Sequence, residues 1–138
     1  MGGGDSVDEM ATREDAVRIV TELPGVTEGL RFRNVTWYVD GKAFAWDRPF
    51  SKADIKRFGD VTPPEGPIFA VRVEDLLEKA AVLAEASEGV FDIPHFDGYA
   101  AVLIQLSAVE LDVLRELVVG AWAACAPPTL EAEFFGDR

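Results

Sequence analysis

The sequence predicts an α+β fold in which helices pack on one face of a mainly antiparallel sheet. Strand-like segments and segments with helical spacing of apolar residues alternate along one chain of 138 residues. Short, hairpin-type connections join the strand-like segments, which favours antiparallel pairing. The predicted order is α-β3-(α)-β-α-β2-α. We expect residues 1–11 to form a disordered tail rich in glycine and aspartate, and residues 12–138 to form one domain.

The first helix is predicted from its start and stop signals. Thr12 and Asp15 have the spacing of a capping box, in which each side chain bonds the other residue's backbone N–H. Apolar residues then recur on one helical face as far as Leu23. Pro24-Gly25 ends the helix.

Three strands are predicted next, over residues 30–34, 35–39 and 42–46. In the first strand, alternation places Leu30 and Phe32 inward, with a basic residue after each pointing outward. The second and third strands flank Asp40-Gly41. Such a pair between strand-like segments predicts a tight hairpin, because a type I′ turn needs positive φ at both central residues.

The middle of the chain predicts a short helix, a strand and a longer helix. Ser51 and Asp54 have capping-box spacing, and Gly59 is placed to close the short helix. A proline-rich loop over residues 62–67 precedes a strand over residues 68–73. Glu74 and Asp75 then favour the start of a helix that runs to about residue 86.

The last third predicts two strands and the final helix. The strands cover residues 90–93 and 99–106, with a turn over residues 94–98 between them. The continuous apolarity of the second strand indicates burial on both faces. Ser107 and Glu110 suggest a capping box for a helix that ends before Pro127-Pro128. An apolar tail with Leu130, Phe134 and Phe135 follows.

Composition and charge limit the functions that the chain can have. The net charge is −12, which opposes long-range attraction of polyanions. Residues 30–60 nevertheless carry seven basic against four acidic residues, a net charge of +3. The single cysteine, Cys125, is expected to be buried in an apolar run and permits no internal disulfide. With no apolar run of membrane-spanning length, we expect a cytoplasmic protein without a membrane association.

Several segments in a fixed order carry a family resemblance. They are Leu23 to Glu28, Gly41 to Trp46, His95 to Tyr99, Val102 to Leu106, and a last helix with Trp122 and Ala126-Pro127. This set resembles the MmcQ/YjbR family of small bacterial proteins over about residues 12–130. The resemblance implies an α+β fold similar to frataxin-type proteins and secretion chaperones, and a weak affinity for DNA through strands and loops. It implies no catalytic residue.

Two groups of residues are candidates for binding. The segment 94–99 places His95, Asp97 and Tyr99 in one turn, which suits either a ligand-binding loop, or an enzyme site, or a purely structural corner. The second group contains the basic residues that lie beside aromatic strands and suit nucleic acid: Arg31, Arg33, Lys42, Arg48, Lys52, Lys56 and Arg57. The alternative for this group is a solvated face of mixed charge, with the aromatic side chains in the core.

Catalytic and metal chemistry find little support in the residue types. With one histidine and one cysteine, the common zinc sites cannot form, and no catalytic serine motif occurs. We therefore predict no catalytic residue, no metal ligand and no cofactor. A further hypothesis is a protein-interaction module or homodimer, in which the apolar tail with Leu130, Phe134 and Phe135 contacts the partner.

Overall fold

The computed structural model describes residues 11–136, and six strands of this part form one antiparallel sheet of order β1-β2-β3-β4-β6-β5. The predicted α+β class with a mainly antiparallel sheet is confirmed. The strands are β1 (Val26–Arg31), β2 (Asn34–Val39), β3 (Lys42–Asp47), β4 (Ile68–Arg72), β5 (Val90–Phe91) and β6 (Ala101–Gln105). The helices are α1 (Arg13–Thr21), α2 (Lys52–Phe58), α3 (Leu76–Ala84), α4 (Leu111–Cys125) and α5 (Pro128–Phe135), with a 3-10 turn at Pro94–Phe96.

The larger part of the core lies between the first face of the sheet and helices α1 and α4. Trp37 and Phe69 point from the sheet into this core, and their ring centroids are 5.6 Å apart. Trp122 enters it from α4 and donates its indole N–H to the carbonyl of Pro24. Burying these large rings away from water supplies the main driving force for packing the helices on the sheet.

The second face of the sheet is covered only in part. A smaller apolar cluster on this face includes Trp46, Leu103 and Phe96, with Phe50 and Phe58 packed against it. Helix α2 and the 3-10 turn supply this cover. Strand β6 is therefore buried on both faces and pairs with β4 and β5, as its apolar sequence predicted.

The predicted caps and the predicted hairpin are present. Thr12 and Asp15 form the capping box of α1, and Ser51 and Asp54 form that of α2. Asp40 and Gly41 connect β2 to β3 with φ of 52° and 75°. These elements could be predicted because each depends on side chains close in sequence.

The first predicted strand is displaced, and its inward residues are wrong. Strand β1 ends at Arg31, and Phe32-Arg33 forms a two-residue turn before Asn34, which pairs with Arg31. Leu30 and Phe32 are 73% and 86% exposed. The alternation failed because the segment 30–34 spans a chain reversal and is not one extended strand.

The predicted capping box at Ser107 is also wrong. Residues 106–108 form a turn in which the N–H of Ala108 bonds the carbonyl of Gln105. Helix α4 starts later, with Glu110 as its N-cap and no side-chain capping bond. The spacing matched a cap, but the chain uses this segment to leave β6.

The apolar tail forms a further helix, α5, that packs on its own domain. Leu130 contacts the core and lies against Gly25. Phe134 stacks edge-on against Trp122, with ring centroids 5.2 Å apart. The sequence predicts that Pro127-Pro128 ends a helix, but proline also suits the first turn of a helix, where its missing N–H has no partner to lose.

Three sequence expectations concern the chain ends and the single cysteine. The expected disordered tail over residues 1–11 lies outside the described residues except for Ala11, which is buried and bonds the carbonyl of Val109. Cys125 is buried, as predicted, and burial raises the pKa of its thiol. Within residues 11–136, no helix has both the length and the apolarity that crossing a membrane requires.

Candidate functional site

A cleft of about 590 Å³ opens on the partly covered second face of the sheet. We call it the arginine–aromatic cleft. Two arginines, one histidine and four aromatic residues stand out among the residues that line it: Arg31, Phe32, Asn34, Trp46, Arg48, Pro49, Ser51, His95, Phe96 and Tyr99. Of the described residues, no Asp or Glu belongs to this lining, although the chain has 25 acidic residues.

The cleft lies between the β1–β2 hairpin tip and the 94–99 turn. Arg31 ends β1 and pairs with Asn34 at the start of β2, so both side chains lie where the chain reverses. Trp46 comes from β3, where it is opposite Thr36 on β2 and Ala70 on β4. The indole, which is 6% exposed, forms the floor of the cleft.

The guanidinium of Arg31 contacts two aromatic rings of the cleft. Its Cζ atom lies 5.3 Å from the centroid of Trp46 and 5.8 Å from that of Phe32. Arg31 forms no ion pair with any residue in the described part of the chain. Cation–π contacts orient a guanidinium but do not neutralise it, so the charge of Arg31 is available to an anion.

The guanidinium of Arg48 is instead engaged within the protein. Its Nη1 atom lies 2.9 Å from a carboxylate oxygen of Asp54, and both side chains are largely buried. Burial acts to raise the pKa of Asp54, but the N–H of Ser51 and the charge of Arg48 outweigh it and hold that pKa below its ordinary value. Arg48 thus connects the 48–51 loop to α2 and fixes one wall of the cleft.

The predicted group of His95, Asp97 and Tyr99 is divided by the structure. His95 and Tyr99 line the cleft, whereas Asp97 lines a separate shallow groove with Asp92. The Tyr99 ring lies 6.3 Å from Trp46 and 5.3 Å from Phe96. The cleft therefore combines two residues of this group with two of the basic group, Arg31 and Arg48.

The remaining predicted basic residues lie outside the lining. Arg33 is exposed in the hairpin tip beside Phe32, and Lys42 is at the opposite end of β3, where it pairs with Asp40 at 3.3 Å. Lys52, Lys56 and Arg57 are exposed on α2, whose capping residue Ser51 lines the cleft.

A buried lysine holds the 94–99 wall in place. Lys79 of α3 is 5% exposed and donates from Nζ to the carbonyls of Phe96 and Tyr99, at 2.7 and 2.8 Å. Its ammonium also lies 3.2 Å from a carboxylate oxygen of Asp92. Three acceptors around one buried charge fix the backbone that presents His95 and Tyr99.

A second cleft, of about 450 Å³, has the opposite character. Glu74, Glu78, Glu116 and Glu131 line it together with Arg72. Within residues 11–136, no three His, Cys, Asp or Glu side chains are grouped closely enough to hold a metal ion. The Cζ atom of Arg72 lies 5.7 Å from the ring centroid of Tyr99, so one residue of each lining contacts the other.

Sequence reasoning missed Phe32, Phe96 and Lys79 as parts of the site. Alternation along residues 30–34 predicts Phe32 in the core, whereas the structure places it exposed in the hairpin tip, on the lining of the cleft. Lys79 had a usable signal: it lies three residues after Leu76 and four before Leu83, so helical spacing puts it on one face with these two apolar residues. A charge in that position indicates a buried partner.

Fold and cleft together define a single-sheet α+β domain with a mixed cationic and aromatic cleft on its second face. Comparison with known proteins gives the family. The YjbR family model matches residues 21–124, and the chain belongs to the YjbR family. The predicted resemblance to MmcQ/YjbR proteins is confirmed.

Curated relatives from mycobacteria extend this similarity over almost the whole chain. The uncharacterized protein Rv2570 of Mycobacterium tuberculosis and the uncharacterized protein Mb2600 of Mycobacterium bovis are each 40% identical over 131 residues. Each alignment covers 93% of this chain and 98% of the relative. No solved structure matches the chain. The relatives' names state no activity, so the function has to be argued from the cleft.

Proposed function

We propose that this YjbR protein is a non-catalytic binding domain whose arginine–aromatic cleft takes a small anionic ligand. The observation that carries the proposal is the charge of the lining. Arg31 has no ion-pair partner within the described residues, His95 lies nearby in the same lining, and no carboxylate is among the lining residues described. In so acidic a chain, a cleft free of carboxylates favours an anion over a cation.

The size of the cleft and the range of electrostatic forces support a small ligand. A volume of about 590 Å³ lies within the usual range of small-molecule sites, about 300–1,000 Å³. Physiological salt screens exposed charges over about 8 Å, so the acidic remainder of the chain acts weakly inside the cleft. A compact anion at Arg31 thus meets local attraction, whereas a long polyanion also meets the acidic body.

The lining favours binding over catalysis. Among the described residues of the lining, Ser51 and Tyr99 carry the hydroxyls, and the Ser51 Oγ already accepts the N–H of Asp54 as the cap of α2. His95 has no carboxylate beside it in the lining to orient its ring. A nucleophile with a base and an orienting group is therefore missing from the residues that the structure describes here.

Binding of single-stranded DNA is a second candidate, and the position of α2 favours it. Three exposed cations on this helix, Lys52, Lys56 and Arg57, follow directly after Ser51 on the rim of the cleft. A strand that entered the cleft would have these cations along its path. Fluorescence anisotropy with labelled single-stranded DNA tests this candidate, and an absence of binding at low salt would eliminate it.

Calorimetric titration with adenosine 5′-monophosphate (AMP) tests the proposed function. We expect the unmodified protein to bind AMP and the Arg31→Gln variant to bind it at least about tenfold more weakly, because a charge-assisted hydrogen bond contributes about 1.5–3 kcal/mol. Lys42→Gln removes the same charge at the far end of β3 and serves as the matched control. Equal affinity in the Arg31 variant and the unmodified protein would contradict the proposal.

A further inference from the structure

The place that Arg31 occupies indicates what else the ligand carries. Its planar guanidinium lies against both Trp46 and Phe32, with centroid distances of 5.3 and 5.8 Å. A flat, delocalised group is thus already held against these two rings. Resting on the proposed function, we propose that the ligand is a nucleotide, with its base stacked on Trp46 beneath Phe32 and its phosphate bound to Arg31.

Trp46 provides a fixed stacking surface. The rings of Phe96 and Tyr99 contact it with centroid distances of 6.4 and 6.3 Å, and Phe96 and Tyr99 pack edge to face against each other. Lys79 holds the backbone carbonyls of these two neighbours from behind. Trp46 is 6% exposed and the guanidinium of Arg31 lies on its ring, so a base reaches the ring by taking the place of that guanidinium, while the ordered aromatic neighbours need not move.

Phe32 is placed to cover a ring from the open side. It is 86% exposed, so its side chain contributes little to the core. Its φ is 53° and that of Arg33 is 70°, and this left-handed conformation is unfavourable for both residue types. A strained pair that presents an exposed aromatic ring at the mouth of a cleft is better explained by a ligand contact than by folding.

The cations of the cleft suit the phosphate of the same ligand. Arg31 and His95 line the cleft, and Arg33 follows Phe32 in the exposed tip. Guanidinium groups bind phosphate through paired, charge-assisted hydrogen bonds. Stacking surface and phosphate-binding groups therefore meet in one cleft, which is the combination that a nucleotide requires.

Two sources can supply this chemistry: a free mononucleotide, or a nucleotide within a single strand. Titration with AMP and with a short oligodeoxyadenylate distinguishes them. Preference for the oligomer, corrected for its number of bases, identifies a strand, and preference for AMP identifies a free nucleotide. Either result supports a nucleotide in the cleft.

The contribution of the base is tested by comparing AMP with ribose 5-phosphate, which has the same phosphate and sugar without the base. We expect AMP to bind at least about tenfold more tightly, in keeping with the usual contribution of stacking to binding. Phe32→Ser is expected to weaken AMP about tenfold and to leave ribose 5-phosphate unchanged. Leu77→Ser alters a similarly exposed apolar residue on α3 and should change neither affinity.

The outcomes separate this inference from the proposed function. If ribose 5-phosphate binds as tightly as AMP and both depend on Arg31, the anion site stands and the nucleotide assignment is overturned. If Phe32→Ser weakens both compounds equally, Phe32 does not contact a base, and the proposed stacking of a base between Trp46 and Phe32 is likewise overturned. Failure of both compounds to bind would remove the proposed function itself.

Discussion

Two turns at opposite ends of β2 have similar backbones and very different residues. Asp40-Gly41 joins β2 to β3 with φ of 52° and 75°, and Phe32-Arg33 joins β1 to β2 with φ of 53° and 70°. The first pair has the residues that this backbone prefers. The second pair has a bulky aromatic and a long cation, each in a conformation unfavourable by about 1–2 kcal/mol.

The difference shows that folding and function place different demands on two hairpins that share β2. Nothing lies within 4 Å of a Cβ added at Gly41, and neither Asp40 nor Gly41 belongs to the lining of the cleft. The Phe32-Arg33 turn adjoins the cleft, and its first residue belongs to the lining. We interpret the strained pair as retained for the side chains that it presents to a ligand.

The largest effect on stability is expected beside the cleft, from the change Asp54→Asn in α2. This change leaves the largely buried Arg48 without its carboxylate partner and should reduce the free energy of unfolding at neutral pH by about 2–3 kcal/mol. Urea denaturation measures it, with Asp60→Asn at an exposed carboxylate as the control. A loss no greater than that of the control would contradict the role of the ion pair.

The difference in stability between the unmodified protein and Asp54→Asn is expected to depend on pH. Because the folded protein lowers the pKa of Asp54, its contribution to stability is complete above the unfolded value of about 3.9 and is lost as the pH falls through the lower folded pKa. The difference between the unmodified protein and Asp54→Asn should therefore be constant near neutrality and should narrow below about pH 4.

A smaller effect is expected at the other end of β2, from Gly41→Ala. Nothing lies within 4 Å of a Cβ added at this glycine, so the cost comes from the backbone conformation alone, at φ of 75°. We expect a loss of about 1–2 kcal/mol in urea denaturation and no change in AMP affinity. A reduced affinity for AMP would show that the Asp40-Gly41 turn is coupled to the cleft, and it would contradict the different roles assigned to the two turns.

Local signals determined which parts of the fold could be predicted from the sequence. The caps at Thr12 and Ser51 and the Asp40-Gly41 turn depend on residues within a few positions of one another. The Phe32-Arg33 turn has no such signal, because its conformation runs against the preferences of both residues. Helix α5 was missed because a proline pair can end one helix and begin the next.

The cleft was predicted only in pieces because its construction is non-local. Arg31 and His95 were both candidates, but for different functions, and only the sheet brings them to one lining. Asp97 is adjacent in sequence to Phe96 and yet faces another groove. Spacing along the chain does not reveal which side of a turn each side chain occupies.

The paired variant Phe32→Asn/Arg33→Gly tests the central claim most directly, because it gives the strained tip the preferred residues of a type I′ turn. We predict a protein that is more stable to urea by about 1 kcal/mol and binds AMP at least about tenfold more weakly. A variant that gains stability and retains full affinity for AMP would contradict the account, since the strain would then serve no ligand.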